Sequence, residues 1–540
     1  MKGWELALLA LIALLPRLVH LDHPPQFDEL YHTLAARSWA ADGTLSLGDG
    51  VYDRTALFTQ LIGLLFRFFD DTLVVARVPS VVAGTAWVIL VAWWTSASAG
   101  RAAGWIAGLL FAGDPGAIYL SQFARFYAVH GLLFFAGASA TFNLIAHWPV
   151  RSAAWKGRVA ALAAAALLAA LYLQVTTLIG MVPLAVWAGW RLAPRWWAAW
   201  KRGGVPRWLP VVATAVVLVL AAFWATGDSA AGLWQTYRGT ALWLVAHVDR
   251  VRFYELWLLA RYPVFWTLLP LAFLVAAWRF RQAAMFAATV FGLALVLHSF
   301  AGAKTERYLY FAMPFFFILW GLAVAAALPA FHRVVQEGLS SALRVPVRLQ
   351  KRFSWAIFVA VALIFAYYNP ATRMSRHLVV PGDEARPYPD PDWSKAAPDL
   401  RRLADSADVV VSSALPKAIY YLGRGDVTLS LTELAEFGMQ DGKMVEFAVD
   451  PRTGRPAIST PGSLERLMGC FARGLLIIED GHLHATVIVP DSTVTYLNGT
   501  TRETPLDPAW RIRAFRWQRD SAETRLNCPR AHERVPYSDR

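Results

Sequence analysis

Long apolar stretches recur along the first 370 residues of the chain and then stop. Because a membrane-spanning helix needs about 20 mostly apolar residues, this pattern predicts a polytopic α-helical membrane domain over residues 1–370. We predict eleven spans. Because the boundaries of the apolar stretches are loose, the number of spans could be as high as about thirteen. The predicted spans are residues 4–21, 73–95, 101–120, 126–147, 159–175, 176–192, 208–226, 262–278, 283–301, 308–329 and 353–369.

Residues 371–540 have a different pattern, which predicts a soluble α/β domain. The runs Asp408–Ser412 and Gly474–Glu479 are short, β-branched or aliphatic and bounded by polar residues, as buried strands are. A helical pattern over Ser463–Ala472 precedes the second run. Residues 448–459, with Asp-Pro-Arg-Thr-Gly at 450–454, predict a β-hairpin.

Composition supports the membrane assignment. The chain is 57% hydrophobic and 16% charged, its mean hydropathy is +0.40, and its 25 tryptophans are typical of proteins with many membrane interfaces. The net charge of +13 raises the question of nucleic acid, but in a membrane protein basic residues first serve as cytoplasmic anchors. We therefore expect no nucleic-acid partner. The first apolar run lacks a small-residue cleavage site, so we expect a retained span.

The distribution of Lys and Arg predicts the orientation of the chain. The loop at residues 22–71 holds eight acids and three arginines. With the N-terminus inside, the basic clusters fall in cytoplasmic loops, and the C-terminal domain follows an odd number of spans. We expect a multi-pass protein of the cytoplasmic (inner) membrane with this loop and the C-terminal domain on the extracytoplasmic side. The cytoplasmic clusters are Arg151, Lys156 and Arg158; Arg191, Arg195, Lys201, Arg202 and Arg207; Arg279 and Arg281; and Arg333, Arg344, Arg348, Lys351 and Arg352.

The chain has two cysteines, Cys470 and Cys528, and both lie in the predicted C-terminal domain. An extracytoplasmic location permits a disulfide between them. The alternative is two unpaired thiols, one of them inside a helix, because sequence does not give the separation of the two residues.

The predicted first outer loop, residues 22–72, begins with two adjacent carboxylates, Asp28 and Glu29. At a membrane surface, partial desolvation raises carboxyl pKa values and like charges separate them, so one of the two could act as a general base. The alternative is that both acids stabilise the N-terminus of the helix that follows.

The same loop continues to a short apolar stretch, residues 57–69, which predicts a helix lying in the membrane interface. Arg54 precedes it, and Arg77 follows at the entry to the second span. Arg125, Lys304 and Arg307 open later spans from the same predicted side. Basic side chains converging from several loops could bind an anionic phosphate, and the alternative is snorkelling to lipid phosphate.

These motifs, in this order, resemble the membrane-embedded glycosyltransferases of the GT-C type, in particular the branch of the protein mannosyltransferases and the aminoarabinose (lipid A) transferases, families 39 and 83. The resemblance covers about residues 1–330. It rests on five segments: Asp28-Glu29 with Tyr31, Tyr52-Asp53-Arg54, Ala76-Arg77-Val78-Pro79-Ser80, Ala124-Arg125-Phe126-Tyr127, and Lys304 with Arg307-Tyr308 leading to Pro314.

The resemblance implies roles for individual residues. Asp28 would be the catalytic base and Glu29 a supporting carboxylate or acceptor ligand. Relatives often have Lys-Pro-Pro where this chain has Arg54-Thr55-Ala56, and an Asp near the position of His130. These two departures weaken the match for Arg54 and for a metal or acceptor ligand at His130. The residues expected to bind substrate or phosphate are Tyr31, Arg54, Arg125, Tyr127, Lys304, Arg307 and Tyr308.

The implied reaction is the transfer of a single sugar from a polyprenyl-phosphate-linked donor to an acceptor hydroxyl on the extracytoplasmic side. The expected partners are the polyprenyl-phosphate-sugar donor, membrane lipids, and an acceptor glycan, lipid or protein. The sequence indicates no particular cofactor, and a divalent metal is an open alternative. Two other functions stay open: a lipid-carrier transferase that moves an oligosaccharide or phospho-group, and a lipid transporter or flippase. A transporter predicts inverted repeats and broken helices at the midplane, which the sequence does not show.

Overall fold

The computed structural model describes residues 1–148, 150–201, 237, 251–341, 346–380, 391–440 and 443–520. The predicted span at 208–226 and one of the two cysteines, Cys528, lie outside these ranges, so the predicted span and the predicted disulfide both stay predictions. Within the described ranges the chain forms two compact units. One comprises residues 1–21, 78–201 and 251–380, and the other comprises residues 22–77 and 391–520.

The first unit consists of helices. Six helices of the described chain are long and apolar enough to cross a membrane, in agreement with a polytopic α-helical protein: Leu73–Ala99, Tyr127–His147, Ala153–Leu173, Leu269–Phe300, Glu306–Leu339 and Leu349–Tyr368. The remaining helices of this unit are Gly3–Leu18, Arg101–Ala112, Pro115–Ser121, Thr177–Lys201, Phe253–Arg261, Pro263–Thr267 and Pro370–Val379.

Burial separates the apolar helices of this unit into two kinds. Protein buries 78% of the most apolar window of Glu306–Leu339, but only 6% of that of Leu349–Tyr368. An apolar helix with almost no protein cover is stable only in an apolar surrounding, which the hydrocarbon of a bilayer provides. Leu349–Tyr368 therefore has the surface of a lipid-facing span, whereas Glu306–Leu339 forms the centre of the unit.

Local chemistry explains how the predicted spans 101–120, 262–278 and 283–301 relate to the observed helices. The predicted span 101–120 is two helices, because the Asp114 side chain accepts a hydrogen bond from the Ala117 amide and Pro115 starts a new helix. The predicted spans 262–278 and 283–301 largely correspond to two helical segments of Leu269–Phe300 that meet at a kink at Phe280, where the backbone is not helical.

The second unit contains the loop segment 22–77 and an α/β domain. The loop segment begins with the helix Phe27–Asp42. A two-stranded ribbon of β1 (Ser46–Leu47) and β2 (Gly50–Val51) comes next, followed by the helix Ala56–Phe66. Ala56–Phe66 corresponds to the predicted interfacial helix. Its exposed side includes Leu57, Leu61 and Leu64, as expected of a helix that lies on a membrane surface.

The α/β domain is built on a seven-stranded sheet of order β10-β11-β9-β3-β4-β8-β7. The central strands β9, β3, β4 and β8 are parallel, while β7, β10 and β11 pair antiparallel at the edges. The strand bounds are β3 Val409–Ser412, β4 Val427–Leu429, β7 Ala448–Asp450, β8 Arg455–Ile458, β9 Arg473–Glu479, β10 Arg502–Thr504 and β11 Ile512–Gln518; β5 Met439–Gln440 and β6 Lys443–Met444 form a separate ribbon.

Both faces of the sheet are buried, which explains the unbroken apolar runs of its central strands. In β3, Val409 and Val411 pack on one face with the helix Pro461–Cys470, and Val410 packs on the other face with the helix Trp393–Asp405. The predicted strands, the predicted helix before the second strand and the predicted hairpin are all confirmed. The other helices of the domain are Leu415–Leu422, Leu431–Phe437, Asp480–Leu483 and Asp491–Thr500.

The loop segment is attached to the α/β domain by two turns that pack backbone against backbone. The Asp49 amide donates to the Thr453 carbonyl at 3.0 Å, and the Val51 amide donates to the Pro451 carbonyl at 3.2 Å. A Cβ atom on Gly50 would lie 2.4 Å from the Gly454 nitrogen, so this approach requires glycine. The turn predicted from Asp-Pro-Arg-Thr-Gly therefore also holds the loop segment in place.

Candidate active site

Asp28 and Glu29 lie in the first turn of the helix Phe27–Asp42, but their surroundings differ. Glu29 is fully buried and accepts a hydrogen bond from Arg77 Nη2 at 2.6 Å, and the Arg77 side chain is also fully buried. Arg77 Nη1 donates to the His23 carbonyl at 2.8 Å. Asp28 is only half-buried. Of the two adjacent acids, only Asp28 keeps partial exposure to solvent.

Tyr31 follows Asp28 by three residues, so the two side chains lie on neighbouring positions of one helix face. The Tyr31 ring stacks on the Tyr52 ring at a centroid distance of 5.2 Å. It packs edge-to-face with the Phe27 ring at a centroid distance of 5.4 Å. The guanidinium carbon of Arg452 lies 4.9 Å from the centre of the Tyr31 ring. The predicted Tyr31 thus contacts a residue of the C-terminal domain that sequence reasoning did not select.

Arg452 belongs to a cluster with two carboxylates. Its Nε donates to Asp450 at 2.8 Å, and its Nη2 lies 3.7 Å from Glu433. Burial raises the pKa of the Glu433 carboxyl from 4.5 to about 7; Arg452 opposes this and Asp450 adds to it. The only sequence signal for this cluster was the turn Asp450-Pro-Arg-Thr-Gly454, whose composition indicated a hairpin and gave no information about its partner.

Burial is also the main influence on the pKa of the Tyr31 hydroxyl. It raises the pKa of Tyr31 well above its ordinary value, and the carboxylates of Glu433, Asp450 and Asp28 raise it further, while Arg452 opposes them. The Tyr31 hydroxyl therefore stays protonated at physiological pH and can donate a hydrogen bond. Arg54, also expected at this site, precedes the helix Ala56–Phe66 and is exposed.

The predicted cations Arg125 and Arg307 come together in the first unit. Their guanidinium carbons lie 5.7 Å and 5.5 Å from the centre of the Tyr127 ring. Arg307 also lies 6.0 Å from the ring centre of Tyr308. Two guanidinium groups that share one aromatic ring repel each other, and an anion between them relieves this repulsion. Two segments predicted separately from sequence, one with Arg125 and Tyr127 and the other with Arg307, are thus neighbours.

The backbone around these cations is held by hydrogen bonds. Ser80 Oγ donates to the Arg125 carbonyl at 2.9 Å, and Gln122 Nε2 donates to the Val19 carbonyl at 2.7 Å. Lys304 is almost fully buried and donates to the Ala301 carbonyl at 2.6 Å. His130 is buried and within 2.8 Å of the Thr177 hydroxyl. His130 therefore takes part in helix packing at the position where relatives were expected to have an Asp.

Over the described ranges, the structure brings together no group of three or more His, Cys, Asp or Glu side chains that could hold a metal ion. The unit that contains Asp28 brings together carboxylates, tyrosine rings and the Arg452 guanidinium, and the other unit brings together the guanidinium groups of Arg125 and Arg307 with tyrosine rings. These groups can abstract a proton and bind an anion by charge-assisted hydrogen bonds.

Comparisons with known proteins bear on the fold. No protein-family model matches the sequence, and no curated protein matches it. Among solved structures, ArnT from Cupriavidus metallidurans is similar in its apo state, with a TM-score of 0.58, 15% identity, and coverage of 95% of this chain and 98% of that one. The same protein bound to undecaprenyl phosphate gives a TM-score of 0.57 at 15% identity, covering 97% and 99% of the two chains.

The archaeal oligosaccharyltransferase AglB from Archaeoglobus fulgidus, in complex with an inhibitory peptide and a dolichol-phosphate, is similar with a TM-score of 0.56 and 12% identity. That match covers 95% of this chain and 74% of AglB. The chain therefore has the fold of the GT-C membrane glycosyltransferases, with a helical membrane domain and a C-terminal α/β domain. This confirms the fold that the sequence resemblance implied.

Proposed function

We propose that this protein transfers a single sugar from a polyprenyl-phosphate-linked donor to an acceptor hydroxyl on the extracytoplasmic side of the cytoplasmic membrane. The observation that carries the proposal is the convergence of Arg125 and Arg307 on Tyr127, in a fold shared with an ArnT that was solved with undecaprenyl phosphate. Paired guanidinium groups are suited to the negative charge of a lipid phosphate.

The chemistry follows from the groups available. The acceptor oxygen attacks the anomeric carbon, the bond from that carbon to the phosphate oxygen breaks, and the acceptor proton passes to the Asp28 carboxylate. The leaving polyprenyl phosphate gains negative charge, which Arg125, Arg307 and Lys304 stabilise. A single displacement inverts the anomeric configuration. Tyr127 and Tyr308 orient the guanidinium groups by contact with their planes.

We assign Glu29 a positioning role. Its carboxylate is occupied by Arg77 in a fully buried ion pair, which fixes the start of the helix that carries Asp28. Asp28, half-buried one residue earlier, is assigned the role of general base. A general base contributes about 100-fold to 10,000-fold to the rate.

The proposal is tested with the full chain in lipid nanodiscs and a panel of polyprenyl-phosphate hexoses and pentoses. We expect the Asp28→Asn variant to lose turnover by about 100-fold or more, while its affinity for undecaprenyl phosphate is unchanged. The matched control is Asp22→Asn, an exposed carboxylate at the start of the same loop, which should keep full activity. Full turnover by Asp28→Asn would refute the base assignment.

The mass of the product distinguishes the competing functions in the same assay. One added hexose or pentose supports the proposal. Transfer of an oligosaccharide or a phospho-group would identify a different lipid-carrier transferase. Movement of the labelled lipid across the bilayer without a new glycosidic bond would identify a flippase.

A further inference from the structure

A group of buried polar atoms surrounds Tyr31 on the side of the C-terminal domain. Within the described chain, Tyr31 Oη and Arg452 Nη2 are buried and lack a hydrogen-bond partner, and the Thr428 hydroxyl lies beside the Glu433 carboxyl and interacts with it. Tyr31 is 2%, Thr428 1% and Glu433 7% exposed. A buried polar atom without a partner costs about 1–3 kcal/mol, so natural proteins contain few of them. Tyr31 Oη and Arg452 Nη2 therefore have hydrogen-bonding capacity available for a ligand, next to the Thr428 hydroxyl and the Glu433 carboxyl.

The geometry of this cluster is fixed by its surroundings. Asp450 accepts hydrogen bonds from both the backbone amide and the Nε of Arg452, at 2.9 Å and 2.8 Å. The turn that carries Arg452 is bonded backbone to backbone to the turn of the β1–β2 ribbon. Tyr31 is held by its stacking on Tyr52. The cluster therefore needs little rearrangement to bind a ligand, which lowers the entropic cost of binding.

The charges in the cluster limit the kind of ligand. Arg452 is already paired with Asp450, and Glu433 and Asp28 add negative charge beside it. A phosphate would meet this excess of carboxylates and be repelled. A neutral hydroxylated ligand is compatible with these groups. The carboxylate can accept a hydrogen bond from one sugar hydroxyl, and the guanidinium can donate one to a neighbouring hydroxyl. The tyrosine and threonine hydroxyls can donate or accept.

The position of the cluster connects it to the proposed chemistry. Tyr31 lies one helical turn after Asp28, and the Asp28 carboxylate acts electrostatically on the Tyr31 hydroxyl. A ligand bonded to Tyr31 would thus be placed beside the candidate base. This is the position that an acceptor hydroxyl must occupy to lose its proton to Asp28.

We propose that Tyr31, Thr428, Glu433 and Arg452 form an acceptor subsite that binds a neutral sugar through its hydroxyls. The subsite rests on the proposed glycosyl transfer, since it assigns the acceptor side of the same reaction. Specificity then comes from the C-terminal domain. An acceptor that carries a phosphate on the sugar that binds here would be rejected, whereas a neutral glycan or glycolipid would be accepted.

The test measures binding of a panel of neutral methyl pyranosides and of glucose 6-phosphate to the full chain in nanodiscs, by ligand-observed NMR. We expect at least one methyl pyranoside to bind the native protein, and glucose 6-phosphate to bind at least tenfold more weakly than that pyranoside. Arg452→Ala and Glu433→Ala should each weaken the binding of that pyranoside at least tenfold. Tyr31→Phe keeps the stacked ring and removes only the hydroxyl, so it should weaken binding severalfold even if the other variants misfold.

Arg466→Ala is the matched control, because Arg466 pairs with Glu446 on the surface of the same domain, and its binding should be unchanged. Undecaprenyl phosphate affinity, measured in parallel, should be the same in all variants. The subsite is refuted if glucose 6-phosphate binds more tightly than the pyranosides, if no pyranoside binds, or if Arg452→Ala, Glu433→Ala and Tyr31→Phe all bind like the native protein. If the native protein does not bind undecaprenyl phosphate, the proposed function itself is refuted.

Discussion

The guanidinium of Arg77 and the carboxylate of Glu29 form an ion pair of 2.6 Å in which neither side chain is exposed to solvent. Removing one partner of such a pair leaves an uncompensated buried charge, which costs about 3–5 kcal/mol. Replacing both partners by apolar residues of similar size is often close to neutral. The pair therefore allows the structural role of Glu29 to be separated from a chemical role.

We predict that Arg77→Met and Glu29→Leu each lower the thermal unfolding midpoint strongly, and that the double variant recovers most of the loss. If Glu29 acts only by positioning Asp28, the double variant keeps measurable sugar transfer. A double variant that is as stable as the native protein but inactive would show that Glu29 itself contacts the substrate.

Arg125 and Arg307 are expected to contribute separately to phosphate binding, since both face the Tyr127 ring. A hydrogen bond to a charged group contributes about 1.5–3 kcal/mol, so Arg125→Ala and Arg307→Ala should each weaken undecaprenyl phosphate binding by about tenfold to a hundredfold. Arg279→Ala, which removes an exposed cation from the same unit, serves as the control. Equal affinity in all three variants would exclude the paired arginines as the phosphate site.

The buried carboxyl of Glu433 makes the stability of the C-terminal domain depend on pH. Its pKa is raised from 4.5 to about 7 by burial, so between these values the folded state holds a proton that the unfolded state releases. Stability therefore falls as pH rises from 4.5 to 7 and is constant above pH 7, a loss of about 3 kcal/mol.

Glu433→Gln keeps the shape of the side chain and cannot ionise, so it should remove most of this pH dependence. We expect Glu433→Gln to be more stable than the native protein at pH 8, with a smaller difference at pH 5. Hydrogen exchange of the segment 415–460 at the two pH values measures the effect locally. Parallel pH profiles for the native protein and the variant would contradict the raised pKa.

Local patterns of the sequence were sufficient for much of the secondary structure and for the order of the motifs. The apolar runs marked the spans because a bilayer requires about 20 apolar residues whatever the tertiary structure. The runs around Val410 and Ile477 marked strands buried on both faces, and Asp450-Pro-Arg-Thr-Gly454 marked the hairpin through its turn residues. The order of the motifs, through its resemblance to a known family, then selected Asp28, Arg125 and Arg307.

Only the tertiary structure decided the environment of these groups. Asp28 and Glu29 are adjacent in sequence, yet one is half-buried and the other is enclosed with Arg77. Arg452 follows Tyr31 by more than 400 residues, and no local pattern relates them. Their contact depends on the docking of two glycine-containing turns, and thus on long-range packing. Sequence determined which residues could do the chemistry, and packing determined which of them are paired, buried or accessible, because burial and partner charges set the behaviour of an ionisable group.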